Sequence, residues 1–290
     1  MAITASLVKE LRELTGAGMM ECKRALVDSD GDLEAAQENL RKRGQASAAR
    51  KSGRIAAEGR IVLVVNDEAA VIIEVNCETD FVAIDENFIA FANQAADLVL
   101  AEAPSDVAAL MALTINGASL EEARGALVAK IGENVSVRRF NVIKPQGAIG
   151  SYLHGIKIGV MVDIEGGDEE LGRDIAMHIA ASSPAFISAD DVPADVRDKE
   201  RRILADQAAQ EGKPPEIVEK MVAGRMRKYL GEITLQGQPF VKDPDVTVGK
   251  LLDQAGASVT SFYRLEVGEG IEKKIENFAE EVKAQINAQG

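Results

Sequence analysis

Apolar residues recur every three to four positions at the start of the chain. Ile3, Leu7, Leu11 and Leu14 share one helical face, and Thr15-Gly16-Ala17-Gly18 ends it. Met20 to Asp28 predicts a second helix on Cys22, Ala25 and Leu26, and Asp32 can cap a third that buries Leu33, Ala36 and Leu40. Three short helices of this kind make a compact module. From Arg41 to Ala57 the pattern gives way to Ala, Lys and Arg with Gly44 and Gly53, predicting a partly helical linker.

The period then shortens to two. Ile61, Leu63 and Val65 alternate, Asn66-Asp67 marks a turn, and Val71 to Val75 completes a β-hairpin. Asp85 can cap a helix through Phe88, Phe91, Ala95 and Leu98. Ser119 and Glu122 form a capping box for another helix, with Leu120, Ala123, Leu127 and Ile131 on one face, and Val135 to Ile143 returns to strand. The same layout recurs further on. Ile149 to Leu153, a turn at His154-Gly155 and Ile158 to Val162 read as a hairpin, Gly166-Gly167 breaks it, and Asp168 starts a helix through Leu171, Ile175 and Ile179. Between the two prolines Pro184 and Pro193 the character changes. Two charge-rich helical stretches, 195–210 and 216–229, are joined by Gly212-Lys213-Pro214-Pro215 as an inserted helical hairpin. A helix over 247–255 and a strand over 259–267 finish the second unit. Gly268-Glu269-Gly270 then leads to a terminal helix with Phe278, Val282 and Ile286 in a stripe, which either packs on its own core or anchors in a partner's groove.

This order predicts an α+β chain. Residues 1–54 form the N-terminal helical module and linker, 55–145 the first half of the core, and 146–190 with 230–267 the second half. The inserted hairpin covers 191–229 and the C-terminal helical module 268–290. At 290 residues, with 46% apolar and 28% charged content, the chain suits about two soluble domains with accessories. Its net charge of −14 argues against a general phosphate-backbone binder, and a protein partner fits better. The one basic run, Arg41-Lys42-Arg43 through Arg50-Lys51, Arg54 and Arg60, reads more simply as a solvated helix face or linker than as a nucleic-acid contact. Cys22 and Cys77 lack CxxC spacing, which suits a reducing compartment, and neither a leader nor a membrane span is visible. A cytoplasmic location is expected.

One turn stands out. Asn76-Cys77-Glu78-Thr79-Asp80-Phe81-Val82 joins an alternating strand to a helix and sets an acid beside an aromatic. Two readings compete: Thr79 or Asp80 caps a helix and Phe81 is core, or the ring is a wedge for a partner and the carboxylate competes for backbone donors or a metal shell. Met19 and Met20, at the first inter-helix turn, pose the same choice between core and adaptable contact.

Chemical machinery is sparse. There is no G-x-x-x-x-G-K-[ST] loop, no G-x-S-x-G elbow and no dinucleotide fingerprint. The only histidines, His154 and His178, have no partners at metal spacing. No catalytic residue, cofactor or metal is expected, and an enzyme resting on either histidine is a distant reading.

Five ordered segments together resemble the bacterial elongation factor Ts family, the guanine-nucleotide exchange factors of elongation factor Tu. They are 11–20 (LRELTGAGMM), 76–82 (NCETDFV), 128–134 (VAKIGEN), 175–182 (IAMHIAAS) and 234–241 (TLQGQPFV), so the resemblance spans essentially the whole chain. It implies a non-enzymatic factor that binds Tu-GDP and promotes exchange of GDP for GTP. It further implies that Asp80 and Phe81, flanked by Thr79 and Val82, enter the Tu nucleotide domain and disturb its magnesium and phosphate site. Ile131, Gly132, Glu133 and Asn134 would support that contact, His154 would lie on a neighbouring contact surface, and Arg12, Met19 and Met20 would touch the same domain. Residues 191–229 resemble the family's dimerisation arm, which implies a route to a homodimer. No direct nucleic-acid or membrane contact is implied. The rival reading is an interaction adaptor, in which the N-terminal module, resembling a ubiquitin-associated bundle, captures some other protein.

Overall fold

A computed structural model describes residues 3–115 and 117–272. Three helices open the chain: α1 (Ala5–Thr15), α2 (Met19–Asp28) and α3 (Leu33–Lys51). Thr4 and Asp32 cap α1 and α3 through their side chains, and Gly16, at φ +66°, ends α1 in the left-handed region where glycine carries no steric penalty. Val8, Leu11, Cys22, Ala25, Leu26 and Ala36 form a small core between them.

The first core half begins with β1 (Glu58–Val65) and β2 (Ala70–Cys77), paired antiparallel from Glu58↔Cys77 to Val65↔Ala70. It continues through α4 (Asp80–Ala83), α5 (Glu86–Glu102), α6 (Val107–Ala112), the short pair β3 (Thr114–Ile115) and β4 (Ala118–Ser119), and α7 (Leu120–Ile131). The strand β5 (Ser136–Ile143) then closes on the free edge of β2, giving the order β1-β2-β5.

In the second half, β6 (Ala148–His154) and β7 (Ile158–Glu165) form the hairpin and α8 (Glu169–Ser182) follows. A helical pair, α9 (Ala194–Ala209) and α10 (Pro215–Ile233), comes next. The half ends with β8 (Pro239–Phe240), β9 (Asp243–Thr247), α11 (Val248–Ala255) and β10 (Ser258–Glu266). Here too the last strand pairs antiparallel with the second strand of the hairpin, giving β6-β7-β10.

Strand alternation explains how the halves stack. Along β2, Val71, Ile73, Val75 and Cys77 face a core built with Phe88, Phe91, Ala95 and Val99 of α5 and Leu127 and Val128 of α7. The intervening Ala70 and Ile72 join Ile61 and Ile143 against Met161 and Leu265 of the other sheet. In β7, Val160, Val162 and Ile164 pack with Ile175, Ala176 and Ile179 of α8. Each central strand therefore has both faces covered, and all of β2 is buried. The layers run helix, sheet, sheet, helix.

The segment expected as a partly helical linker is helical to Lys51 and is packed against the core. Helix α3 runs unbroken through Gly44 to Lys51, because its C-terminal half lies against α7. A Cβ on Gly44 would sit 3.2 Å from the Gly125 carbonyl oxygen, so glycine here permits close helix contact and does not break the helix. Arg41 pairs with Glu122 of α7 at 3.2 Å and Arg43 with Asp28, which occupies part of the basic run inside the fold. The terminal stripe of Phe278, Val282 and Ile286 lies outside the described residues. No helix among the described residues is long and apolar enough to cross a membrane.

Candidate functional site

Between β2 and α5 the backbone first makes a one-turn helix. Thr79 caps α4, its Oγ1 accepting from Val82 N–H at 3.4 Å, so the capping reading of this turn holds. Val82 and Ala83 turn inward and are buried, Asp80 is exposed, and the Phe81 ring is 78% exposed, the most exposed large apolar side chain among the described residues. Phe81 is not a core residue here. Ile84 beside it is exposed as well, and Asp85 ends the excursion by capping α5 at Asn87 and Phe88.

What holds this turn comes from far away in sequence. Gly132, at φ +89°, ends α7 and reverses the chain. That reversal delivers Glu133, whose Oε2 accepts from Glu78 N–H (3.1 Å) and Thr79 N–H (3.0 Å) and whose Oε1 accepts from the Thr79 hydroxyl (2.7 Å). Glu78 answers in kind: its Oε1 accepts from Asn134 N–H at 2.6 Å and pairs with Arg54 at 3.4 Å. The buried Asn134 amide donates to the carbonyls of Ser52 (3.4 Å) and Arg54 (2.9 Å), just past α3. Residues 79–82 and 131–134 are thus one assembly. Glu78, Ser52 and Arg54 belong to it too, and no local pattern announces their partners.

Cys77 lies beneath the turn, its Sγ donating to the Thr79 carbonyl at 3.1 Å. Burial pushes the thiol up to about 12, and the Glu133 carboxylate adds to the rise, so it stays protonated and unreactive.

The remaining candidates flank this assembly. Arg12, Met19 and Met20 are exposed on α1 and at the start of α2, the two methionines at 60% and 61%, so neither methionine is core. Their turn approaches α7 at its end: a Cβ on Gly16 would be 3.6 Å from Lys130 Nζ. Lys130 in turn donates to Asn87 Oδ1 at 2.7 Å, and Asn87 Nδ2 donates to Asp85 at 3.0 Å, which leads directly to the end of α4. On the other side, Ile61 N–H donates to the Ile156 carbonyl at 2.8 Å, docking the β6–β7 turn on β1. Lys157 of that turn pairs with Glu58, the register partner of Cys77. His154, exposed at the end of β6, lies 3.4 Å from the Tyr152 hydroxyl through Nδ1. Exposed Leu14, Met19, Met20, Phe81, Ile84 and Leu153 thus sit on elements joined to one another through the end of α7 and the start of β1.

The other histidine is structural. His178 is fully buried, its Nε2 within 2.9 Å of Gln238 Oε1 and its Nδ1 accepting from Val241 N–H at 3.2 Å. Burial holds it below the ordinary imidazole range, the Gln238 bond opposing only in part.

Known proteins resemble this chain over nearly its whole length. A family model described as Elongation factor TS matches residues 78–269, starting within the Glu78–Val82 turn. The elongation factor Ts of Thioalkalivibrio sulfidiphilus is 63% identical over 289 residues, covering 98% of this chain and 99% of its own length. Those of Alkalilimnicola ehrlichii and Idiomarina loihiensis are 60% and 57% identical over 288 residues, covering 98% and 99% of this chain and 99% of their own lengths. These relatives also extend over the N-terminal helices, which the family model leaves out. The chain belongs to the elongation factor Ts family of translation elongation factors.

Proposed function

We propose that the protein is a guanine-nucleotide exchange factor that binds elongation factor Tu carrying GDP and speeds the exchange of GDP for GTP, acting in the cytoplasm and forming no covalent bond. Asp80 and Phe81 enter the Tu nucleotide domain and shift the elements that hold magnesium and phosphate. The observation that carries this reading is Phe81: a large apolar ring left in solvent on a turn whose Glu78 and Thr79 N–H groups are held by Glu133 and whose next residues, Val82 and Ala83, are buried. An aromatic anchor on a rigid mount is what a wedge requires.

Thermodynamics supplies the rest. A factor that binds nucleotide-free Tu better than Tu-GDP must weaken nucleotide binding by the same ratio. Burying one Phe yields only about 1.5 to 3 kcal/mol, whereas reversing a 1:99 population needs roughly 5.5 kcal/mol. Phe81 therefore needs a wider footprint. Arg12, Met19 and Met20, and the His154 turn supply it in this reading, with Ile131 and Gly132 beside the Phe81 turn and Glu133 and Asn134 supporting that turn from within; the exposure of the first group and its links to the Phe81 turn support the assignment. Residues 191–229 add a candidate surface for a second copy, with Ile203 and Ile217 exposed on the helical pair.

The decisive experiment follows release of a fluorescent GDP from Tu in excess unlabelled GDP. The release rate should climb with the concentration of this protein and then saturate; a rate that stays at the intrinsic value refutes the function.

A further inference from the structure

Glu133 faces the wrong way for a partner contact. It is half-buried, and both carboxylate oxygens are committed inside the protein: two backbone N–H groups and the Thr79 hydroxyl converge on them within 3.1 Å. The exchange is reciprocal, since Glu78 of the turn receives the Asn134 N–H, and the Asn134 side chain fastens both to the carbonyls at the end of α3.

We propose that Glu133, with Glu78 and Asn134, is a positioning clamp. It sets the Asp80–Phe81 turn in its presented shape before any partner arrives and fixes it relative to α3, whose other end belongs to the N-terminal module. Glu133 is then a positioning residue that touches no partner atom. The consequence for exchange rests on the reading of Phe81 given above; the clamp itself does not.

The physical case is the cost of leaving such a turn unheld. A carboxylate accepting three donors makes charge-assisted hydrogen bonds, stronger than neutral ones. Without them, Glu78 and Thr79 have no strand or helix partner for their N–H groups, and the turn samples other shapes. A partner that needs one shape then sees an affinity lowered by the fraction of time the shape is present. The deficit falls on binding and spares the step that follows it.

Two arms test this. In the free protein, hydrogen exchange followed by NMR should show the Glu78 and Thr79 amides protected. Glu133→Ala should speed them about tenfold or more while Ile72 and Ile73 in β2 stay unchanged. Glu133→Gln should retain most protection, because its amide oxygen can accept from the two N–H groups and its NH₂ can donate to Thr79 Oγ1. With Tu-GDP, Glu133→Ala should raise the half-saturating concentration about tenfold and leave the plateau rate intact, with Glu133→Gln near wild type.

Unchanged protection of Glu78 and Thr79 in Glu133→Ala overturns the clamp. Loss of protection throughout β2 also overturns it, by making Glu133 a general fold residue. A Glu133→Gln variant as defective as Glu133→Ala with Tu, yet protected when free, assigns the carboxylate to a charge contact on the partner and overturns it as well. If the wild-type protein does not accelerate GDP release, the functional reading fails while the first arm still decides the clamp.

Discussion

In the first half of the core the chain leaves β2 at Cys77 and reaches the Asp85 cap of α5 with seven residues, 78–84, between. In the second half it leaves β7 at Glu165 and reaches the Asp168 cap of α8 with only Gly166 and Gly167 between. The sheets match in order and direction, and both joints feed a helix packed on the same kind of strand. Two glycines at φ +73° and +76° are therefore enough to make this connection. The five additional residues of the first joint are not needed by the topology. They carry the exposed Phe81 and Ile84, and they are braced by a separate set of hydrogen bonds from Glu133 and Asn134. One joint is closed by backbone conformation, and the other is held open by side chains.

Damage to each half should reflect that difference. The largest loss is expected where one buried carboxylate gathers several donors from distant parts of the chain. Glu74 of β2 is fully buried and accepts from Arg138 (3.0 Å), Arg139 (2.6 Å) and Gly268 N–H (2.8 Å). Glu74→Ala should cost about 4 kcal/mol in urea unfolding. Next comes Gly166→Val, which imposes a strained φ and would place Cβ 2.5 Å from the Gly256 carbonyl oxygen; a loss of about 3 kcal/mol is expected by the same measurement.

Acid should separate the halves more gently. His178 anchors the second half in its neutral form, with a pKa below that of the unfolded chain. Unfolding then takes up a proton, and stability falls as pH drops below about 6.5. Burial alone would raise the pKa of Glu74, but the Gly268 N–H, Arg139, Arg138 and Asn76 together hold it below the ordinary value. Its contribution is present above about 4.3 and is lost only as pH falls through the lower folded value. NMR signals of α8 and the 238–241 segment should therefore broaden before those of β2; the reverse order would contradict this assignment. The smallest effect on folding belongs to Phe81→Ala, within about 0.5 kcal/mol of wild type, since the ring is already in water.

Local chemistry was readable in advance, and long-range chemistry was not. Asp32, Asp85, Ser119 with Glu122, and Asp168 each cap the helix expected of them, because a cap is decided within three residues. The repeated hairpin-and-helix layout followed from the change of period and from Gly166-Gly167. Gly44 misled, since a glycine used for helix contact looks in sequence like one that ends a helix; its partner Gly125 is visible only once α3 and α7 meet. The short elements α6, β3, β4 and β8 are below the length at which periodicity speaks. Within the site, Thr79 as a cap was legible. Whether Phe81, Met19 and Met20 face core or solvent was not, because burial depends on which strands and helices stack behind them. The Glu133–Thr79 bonds join residues 54 apart in sequence and leave no local trace.

The central claim is that the longer joint exists for Phe81 and that the ring acts on a partner. Phe81→Ala tests it most directly when GDP release from Tu and the thermal melt are measured on the same sample. The account predicts release slowed roughly 10- to 100-fold at a fixed, sub-saturating concentration, the equivalent of about 1.5 to 3 kcal/mol, with an unchanged melting temperature. Wild-type release by a stably folded Phe81→Ala protein would contradict it.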